Sequence, residues 1–144
     1  MIEIIHLRDK TQKEYGKLSL RFKRMIEMCA FLTKNLCDDD LVVTSIYRMG
    51  SGVHGAWRGI DFRIFEKSGE EGTYRIAEIM NSIYQYDYKR PHMQVAVTEL
   101  YHGTGPHLHL QIHPNTHFLN PDYKEKIEKI LLAQRENFDP TPIA

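Results

Sequence analysis

The segment 106–113 constrains the fold most strongly, because its polar and apolar residues alternate with the two-residue period of a β-strand. Its two histidines, His107 and His109, share one face of the predicted strand with Gln111. The apolar residues between them share the other face, where they can pack on a core. Because a strand fixes the direction of each Cβ, the two imidazoles form a preorganised pair. The segment therefore predicts a sheet with one core face and one histidine-bearing face.

Length and charge limit the class of protein. The chain has 144 residues, which suits one domain, 1–144, with one hydrophobic core. Basic and acidic residues each number 19, so the net charge is zero, and we expect no nucleic-acid partner. No apolar run reaches the roughly 20 residues that span a bilayer, and no secretory signal is evident. We therefore expect no membrane insertion and a product that is cytoplasmic as synthesised. Cys29 and Cys37 lie too far apart on one predicted helix for a disulfide.

Helical and strand periods alternate along the rest of the chain. Thr11 and Glu14 fit a capping box that starts a first helix, which runs to Leu36 and ends at the acidic run 38–40, interpreted as a solvated turn. Further helices are predicted over 73–85 and from Asn120–Pro121 onward. Strands are predicted over 41–47, 60–65, 93–101 and 106–113, and the last two would pair as a hairpin. Residues 1–8 are an edge strand or an arm. The sum is an α+β fold, a small antiparallel sheet with helices on one face.

A glycine-rich segment supplies partners for the two histidines. Four glycines fall within the ten residues 50–59, which indicates tight turns or close approach of the backbone to something. His54 lies in this segment, and Asp61 follows it by seven positions, on the polar face of the next predicted strand. Two histidines and a carboxylate are ligands typical of catalytic zinc sites. A His-x-His pair alone is commonly a surface feature, but here the polar faces of two strands coincide beside a flexible loop.

These segments resemble known metallopeptidases. The run 54–61, His-Gly-Ala-Trp-Arg-Gly-Ile-Asp, is similar to the His-x6-Asp element of the D-alanyl-D-alanine carboxypeptidase and phage endolysin family, with Trp57 and Gly59 in place of its usual Gly and Ala. The run 44–48 resembles the Ser-Gly-Tyr-Arg segment before that element. The run 104–110, Thr-Gly-Pro-His-Leu-His-Leu, closely resembles the His-x-His strand of lysostaphin-type peptidases. These groups share one architecture with the hedgehog signalling domain, so the resemblance implies a hedgehog/DD-peptidase-like fold.

The resemblance implies a zinc site and roles around it. The implied metal ligands are His54, Asp61 and His109, and His107 would stabilise charge at the attacked carbonyl. Arg48 would bind a substrate carboxylate. Two further residues of the same region, Ser51 and Trp57, are candidates for substrate contact, although Trp57 also suits loop packing.

A second hairpin element leaves the general base open. Many family members carry a Glu-x-Trp-His element whose Glu is the base and whose His is a ligand. The run 99–102, Glu-Leu-Tyr-His, partly resembles it. This gives a rival assignment with Glu99 as base and His102 as ligand. The tighter match at 104–110 favours His109 as the ligand, so the base is one of Glu99, His102 and His107.

The activity that the resemblance implies is zinc-dependent hydrolysis of an amide bond, with peptidoglycan peptides as the implied substrate. A product without a signal would suit a phage-encoded enzyme released at lysis. Two other functions remain open. One is a non-catalytic zinc module of the same fold, as in the hedgehog comparison. The other is a non-haem iron oxygenase, since two histidines and one carboxylate also form its metal triad.

Overall fold

The structure is a computed structural model that describes residues 4–50, 52–99 and 106–134. Five helices and seven strands are assigned in this part of the chain, in the order β1 (Ile5–His6), α1 (Asp9–Tyr15), α2 (Leu20–Cys37), β2 (Leu41–Ser45), α3 (Gly52–Gly55), β3 (Gly59–Arg63), α4 (Gly69–Ile83), β4 (Tyr84–Gln85), β5 (Ala96–Glu99), β6 (His107–Gln111), β7 (His117–Phe118) and α5 (Asp122–Ala133). The α+β class is thereby confirmed.

A five-stranded sheet with the order β1-β2-β3-β6-β5 forms the centre of the fold. Strands β2, β3, β6 and β5 pair antiparallel, and β5 and β6 form the predicted hairpin. The edge strand β1 pairs parallel with β2, so the sheet is mixed and not wholly antiparallel as predicted. A separate ribbon of β4 and β7 was not predicted, because two-residue strands carry no periodic signal.

The core lies on one face of the sheet. Ile60 and Phe62 of β3 and Leu108 and Leu110 of β6 are fully buried there, in the same cluster as the apolar residues of α2 and α4. The intervening residues of β3 and β6 point to the opposite face, as their alternation predicts. That second face is also buried, because the glycine-rich segment with α3 covers it.

The first predicted helix is two helices. Thr11 occupies the third position of α1, where its hydroxyl donates to the carbonyl of Arg8 and accepts from the Arg8 amide, so its assignment as N-cap is wrong. Ser19 is the N-cap of α2 and accepts a hydrogen bond from the Phe22 amide at 3.2 Å. A capping side chain that satisfies a free amide favours a new start at Ser19, whereas the apolar spacing alone does not reveal the break.

The acidic run after α2 is not a solvated turn. Asp38 is exposed and adopts the left-handed conformation that ends the helix. Asp39 is buried and accepts hydrogen bonds from the Lys67 and Ser68 amides and the Ser68 hydroxyl. Asp39 therefore anchors the turn that precedes α4, a contact between segments 28 and 29 residues apart.

Two further expectations concern the helices and thiols. No helix in the described ranges is long and apolar enough to cross a membrane. Cys29 is buried and Cys37 is half-buried, and the two thiols are not bonded to each other, as predicted. Burial raises the pKa of the Cys29 thiol to about 12, so Cys29 is an unreactive core residue.

Candidate metal centre

The register of the central strands brings the predicted ligands together. Strand β3 pairs with β6 so that Asp61 stands directly opposite His109. His54 lies on the one-turn helix α3, which folds back over the start of β3. The three residues are nearly inaccessible to solvent, with 3%, 3% and 8% exposure for His54, Asp61 and His109 respectively. The glycine-rich segment therefore closes over the histidine-bearing face and places His54 against it.

The ligand atoms of these three residues converge. Nδ1 of His109 lies 2.8 Å from Oδ1 of Asp61, and Nε2 of His54 lies 3.4 Å from the same oxygen. One potential ligand atom from each residue falls within 4.8 Å of the others. The two imidazole rings are tilted, with centroids 5.1 Å apart. The described residues thus bring two nitrogens and a carboxylate oxygen to one small volume.

Hydrogen bonds behind the rings determine which nitrogen of each histidine faces that volume. Nδ1 of His54 lies 2.7 Å from the carbonyl oxygen of Ile46, which can only accept, so Nδ1 carries the proton. Nε2 of a neutral His54 then presents a lone pair, and it has no hydrogen-bond partner among the described residues. Gln111 acts in the same way on His109. Its amide nitrogen donates to the Gln94 carbonyl at 2.7 Å, and its oxygen faces Nε2 of His109 at 3.1 Å.

Three lone pairs therefore meet without a donor between them when both imidazoles are neutral. Nδ1 of His109, Nε2 of His54 and Oδ1 of Asp61 are all acceptors in that state. Acceptors held this close repel one another unless a cation lies between them, either a proton on one ring or a metal ion. The set fits a divalent transition metal, since neutral imidazole and carboxylate are its ordinary ligands and hydrogen bonds behind ligating histidines are typical of such sites.

Electrostatics keep the Asp61 carboxylate ionised. Burial raises the pKa of Asp61, but in the metal-free protein a ring proton of His109 or His54 directed at Asp61 lowers it by more, to well below its ordinary range. Nη2 of Arg48 also donates to the second carboxylate oxygen, Oδ2, at 3.2 Å. Asp61 is thus a charged acceptor with one oxygen, Oδ1, directed at the histidines and the other bonded to Arg48.

His107 and Glu99 form a pair beside the cluster. The two residues are opposite each other in the β5–β6 hairpin, and Nε2 of His107 lies 2.9 Å from Oε2 of Glu99. The same nitrogen is 3.8 Å from Oδ1 of Asp61. The Glu99 side chain is 34% exposed, so the pair lies between the buried cluster and solvent. Of the three candidates for the general base, the described residues bring Glu99 and His107 to the cluster.

The other predicted site residues have different positions. Ser51 and His102 lie outside the described residues, so the rival assignment of His102 as a ligand stays a prediction. The side chain of Arg48 is 45% exposed, and its Nη2 donates to Asp61. The ring of Trp57 stacks on Tyr47 with centroids 4.3 Å apart, and Nζ of Lys17 lies 5.2 Å from its centre. The Trp57 ring therefore contacts both Tyr47 and Lys17, which agrees with loop packing.

Sequence reasoning missed two residues of this site. Gln111 was placed on the histidine face but given no role, and its alternation with His109 was the available signal. Gly59 lies so close to the site that a Cβ there would be 3.3 Å from Cε1 of His109 and 3.4 Å from Cδ2 of His54. The close approach that the glycine-rich segment predicted is thus an approach to the two histidines.

Fold and geometry define a class, an α+β protein with a buried His-Asp-His cluster on the face of the sheet opposite the main core. Comparisons of the chain with protein-family models, with curated proteins and with solved structures found no match.

Proposed function

We propose that the chain is a zinc-dependent hydrolase of amide bonds, with the metal held by His54, Asp61 and His109. The observation that carries the proposal is the convergence of three buried acceptors, two of them imidazole nitrogens whose other nitrogen is tied behind the ring. Such a set is costly to bury without a cation. When bound, zinc supplies a Lewis acid that polarises a carbonyl and activates water at neutral pH.

The Glu99–His107 pair gives this site a means of moving protons. Oε2 of Glu99 and Nε2 of His107 lie 2.9 Å apart. The pair can accept a proton from an attacking water and return it to a leaving amine. In its protonated state His107 can also donate to the oxygen of an attacked carbonyl. The charge of Arg48 nearby favours a substrate that carries a carboxylate. These roles agree with the family resemblance, which suggests peptides of peptidoglycan as the substrate.

A non-catalytic zinc module is the second candidate, and burial is the observation that favours it. The three ligands are 3 to 8% exposed, and structural metal sites are closed whereas catalytic sites keep an open position. A module of this kind would use the metal to hold α3 and the glycine-rich segment against the sheet. It would not need the Glu99–His107 pair.

Metal analysis comes first among the tests. The protein is purified without added metal and its metal content is measured by mass spectrometry. We expect stoichiometric zinc in the wild-type protein, and loss of zinc in His54→Ala and Asp61→Asn. His117→Ala is the matched control, because His117 is exposed on the β4–β7 ribbon. Iron in place of zinc would contradict the hydrolase proposal and favour an oxygenase.

Hydrolysis is then tested on purified peptidoglycan fragments and on short peptides, with products identified by mass spectrometry. We expect Glu99→Gln and His107→Ala to retain zinc but to lower the rate by about 10²–10⁴-fold, the usual contribution of a general acid–base group. Zinc binding with no hydrolysis of any fragment would favour the non-catalytic module. Full activity in Glu99→Gln would remove the pair from the mechanism.

A further inference from the structure

We propose that Gln111 is a positioning residue that sets the tautomer of His109 and thereby leaves Nδ1 free to act as a metal ligand. The inference rests on the proposed metal site but concerns a residue that does not itself face the metal volume. Gln111 lies on the far side of the His109 ring from Asp61. The residue is 7% exposed, so water does not compete freely for the hydrogen bonds that its side chain makes.

The orientation of the Gln111 amide follows from its second partner. A backbone carbonyl only accepts hydrogen bonds, so the Gln111 atom 2.7 Å from the Gln94 carbonyl oxygen is the amide nitrogen. The amide oxygen must then face Nε2 of His109, at 3.1 Å. An amide turned the other way would place two oxygens against each other at Gln94 and leave both unsatisfied. The Gln94 carbonyl therefore fixes an acceptor behind His109.

An acceptor on each side of the ring competes for the proton of neutral His109. With the proton on Nδ1, His109 would donate to the Asp61 carboxylate at 2.8 Å, and Nε2 would meet the Gln111 oxygen lone pair to lone pair. A metal ion at Nδ1 removes that form, and with the proton on Nε2 His109 then donates to Gln111. Only this second form leaves a ligand atom toward the cluster. His54 reaches the same result through the backbone carbonyl of Ile46, so Gln111 is the side chain through which the arrangement can be tested.

Two variants of Gln111 separate this role from simple packing. Gln111→Leu removes the acceptor at similar volume, and we expect it to weaken zinc binding by about 10- to 100-fold, the usual effect of removing a partner behind a metal ligand. Gln111→Glu keeps an acceptor toward Nε2 but turns its second oxygen to the Gln94 carbonyl, so we expect it to bind zinc more weakly than the wild type and more tightly than Gln111→Leu. Gln12→Leu is the matched control, because Gln12 is exposed on α1. Affinity is measured by competition with a chromophoric chelator.

The tautomer itself is measured by ¹⁵N NMR of the imidazole nitrogens. In zinc-loaded wild-type protein we expect His109 to carry its proton on Nε2, toward Gln111, and to bind the metal through Nδ1. Gln111→Leu should give a mixture of both forms, which a packing role alone would not produce. A proton on Nδ1 in the wild type overturns the inference, as does a Gln111→Leu protein that binds zinc within about threefold of the wild type. A wild-type protein that binds no zinc overturns the metal site itself, whereas zinc-loaded wild-type protein with the proton on Nδ1 overturns only the role of Gln111.

Discussion

Gly59 is the position where the smallest change is expected to disturb the site most. It begins β3 directly beneath the two histidines, and a Cβ built there would lie 2.8 Å from Cγ2 of Val53. Carbon atoms in contact lie about 3.5 to 4.0 Å apart, so this contact requires something to move. Gly59 does not have a positive φ, so its backbone does not itself require glycine. The requirement is one of space.

The expected cost of Gly59→Ala follows from two opposing effects. Adding a methyl group to a packed site costs about 1–3 kcal/mol. Alanine also restricts the unfolded chain, which returns about 0.4–1 kcal/mol. We therefore expect a net loss of about 1–2 kcal/mol in the free energy of unfolding of the metal-free protein. Because Val53 precedes His54, a shift of Val53 away from the added Cβ should also move the His54 ring away from the His109 ring. If that displacement costs about 1.4 kcal/mol of binding free energy, zinc affinity falls tenfold.

Urea unfolding of the metal-free protein and chelator competition measure the two effects separately. Gly16→Ala is the matched control, because Gly16 has φ −59° and an added Cβ would meet its nearest atom, the Lys13 carbonyl oxygen, at an ordinary 3.5 Å. We expect this control to be neutral or slightly stabilising. A Gly59→Ala protein with unchanged stability and unchanged zinc affinity would refute the steric reasoning.

Three other perturbations test separate parts of the molecule. Zinc at about 100 times its Kd should add about 2.7 kcal/mol to the free energy of unfolding and raise Tm by about 5–10 °C. Thermal unfolding should show no such increase in His54→Ala. Desolvation raises the pKa of Asp87, but hydrogen bonds from Asn115, the Lys89 amide and Arg90 lower it to about 2, so this carboxylate stabilises the fold above about pH 4 and the effect is lost as pH falls towards 2. Asp87→Asn should therefore flatten the acid limb of a stability–pH curve, and an unchanged limb would contradict that reading. Asp39→Asn should lower the free energy of unfolding in urea by about 2 kcal/mol, because it disrupts buried hydrogen bonds to a charged group. Asp38→Asn changes an exposed side chain and should alter that free energy by no more than about 0.5 kcal/mol. Equal losses in the two variants would contradict the assigned difference in burial.

Local patterns predicted much of the fold. The alternation in 106–113 and in 60–65 predicted β6 and β3 with the correct inward and outward faces, since side-chain direction in a strand depends only on its two-residue period. The spacing of apolar residues likewise predicted α2 and α4, but not the break between α1 and α2. That break depends on Ser19 capping a new helix, a local hydrogen bond that competes with an uninterrupted apolar stripe.

Contacts between distant segments were beyond local pattern. Asp39 was expected in solvent, as acidic runs usually are, and is buried because the turn at Lys67 and Ser68 presents three donors to it. The parallel pairing of β1 with β2 has the same character, since an edge strand can add in either direction without changing its own pattern.

For the candidate metal centre, the sequence by itself determined the kinds of ligand and the strand faces that carry them. His54, Asp61 and His109 were named from residue type, alternation and family resemblance, and whether they bind a metal stays a prediction. Only the tertiary structure decided that Asp61 and His109, 48 residues apart, stand opposite each other in neighbouring strands. It also decided which nitrogen of each ring faces the shared volume, because the partners behind the rings are the Ile46 carbonyl and the Gln111 amide. The physical reason is that side-chain periodicity is a property of one segment, whereas register and hydrogen-bond partners depend on how separate segments pack.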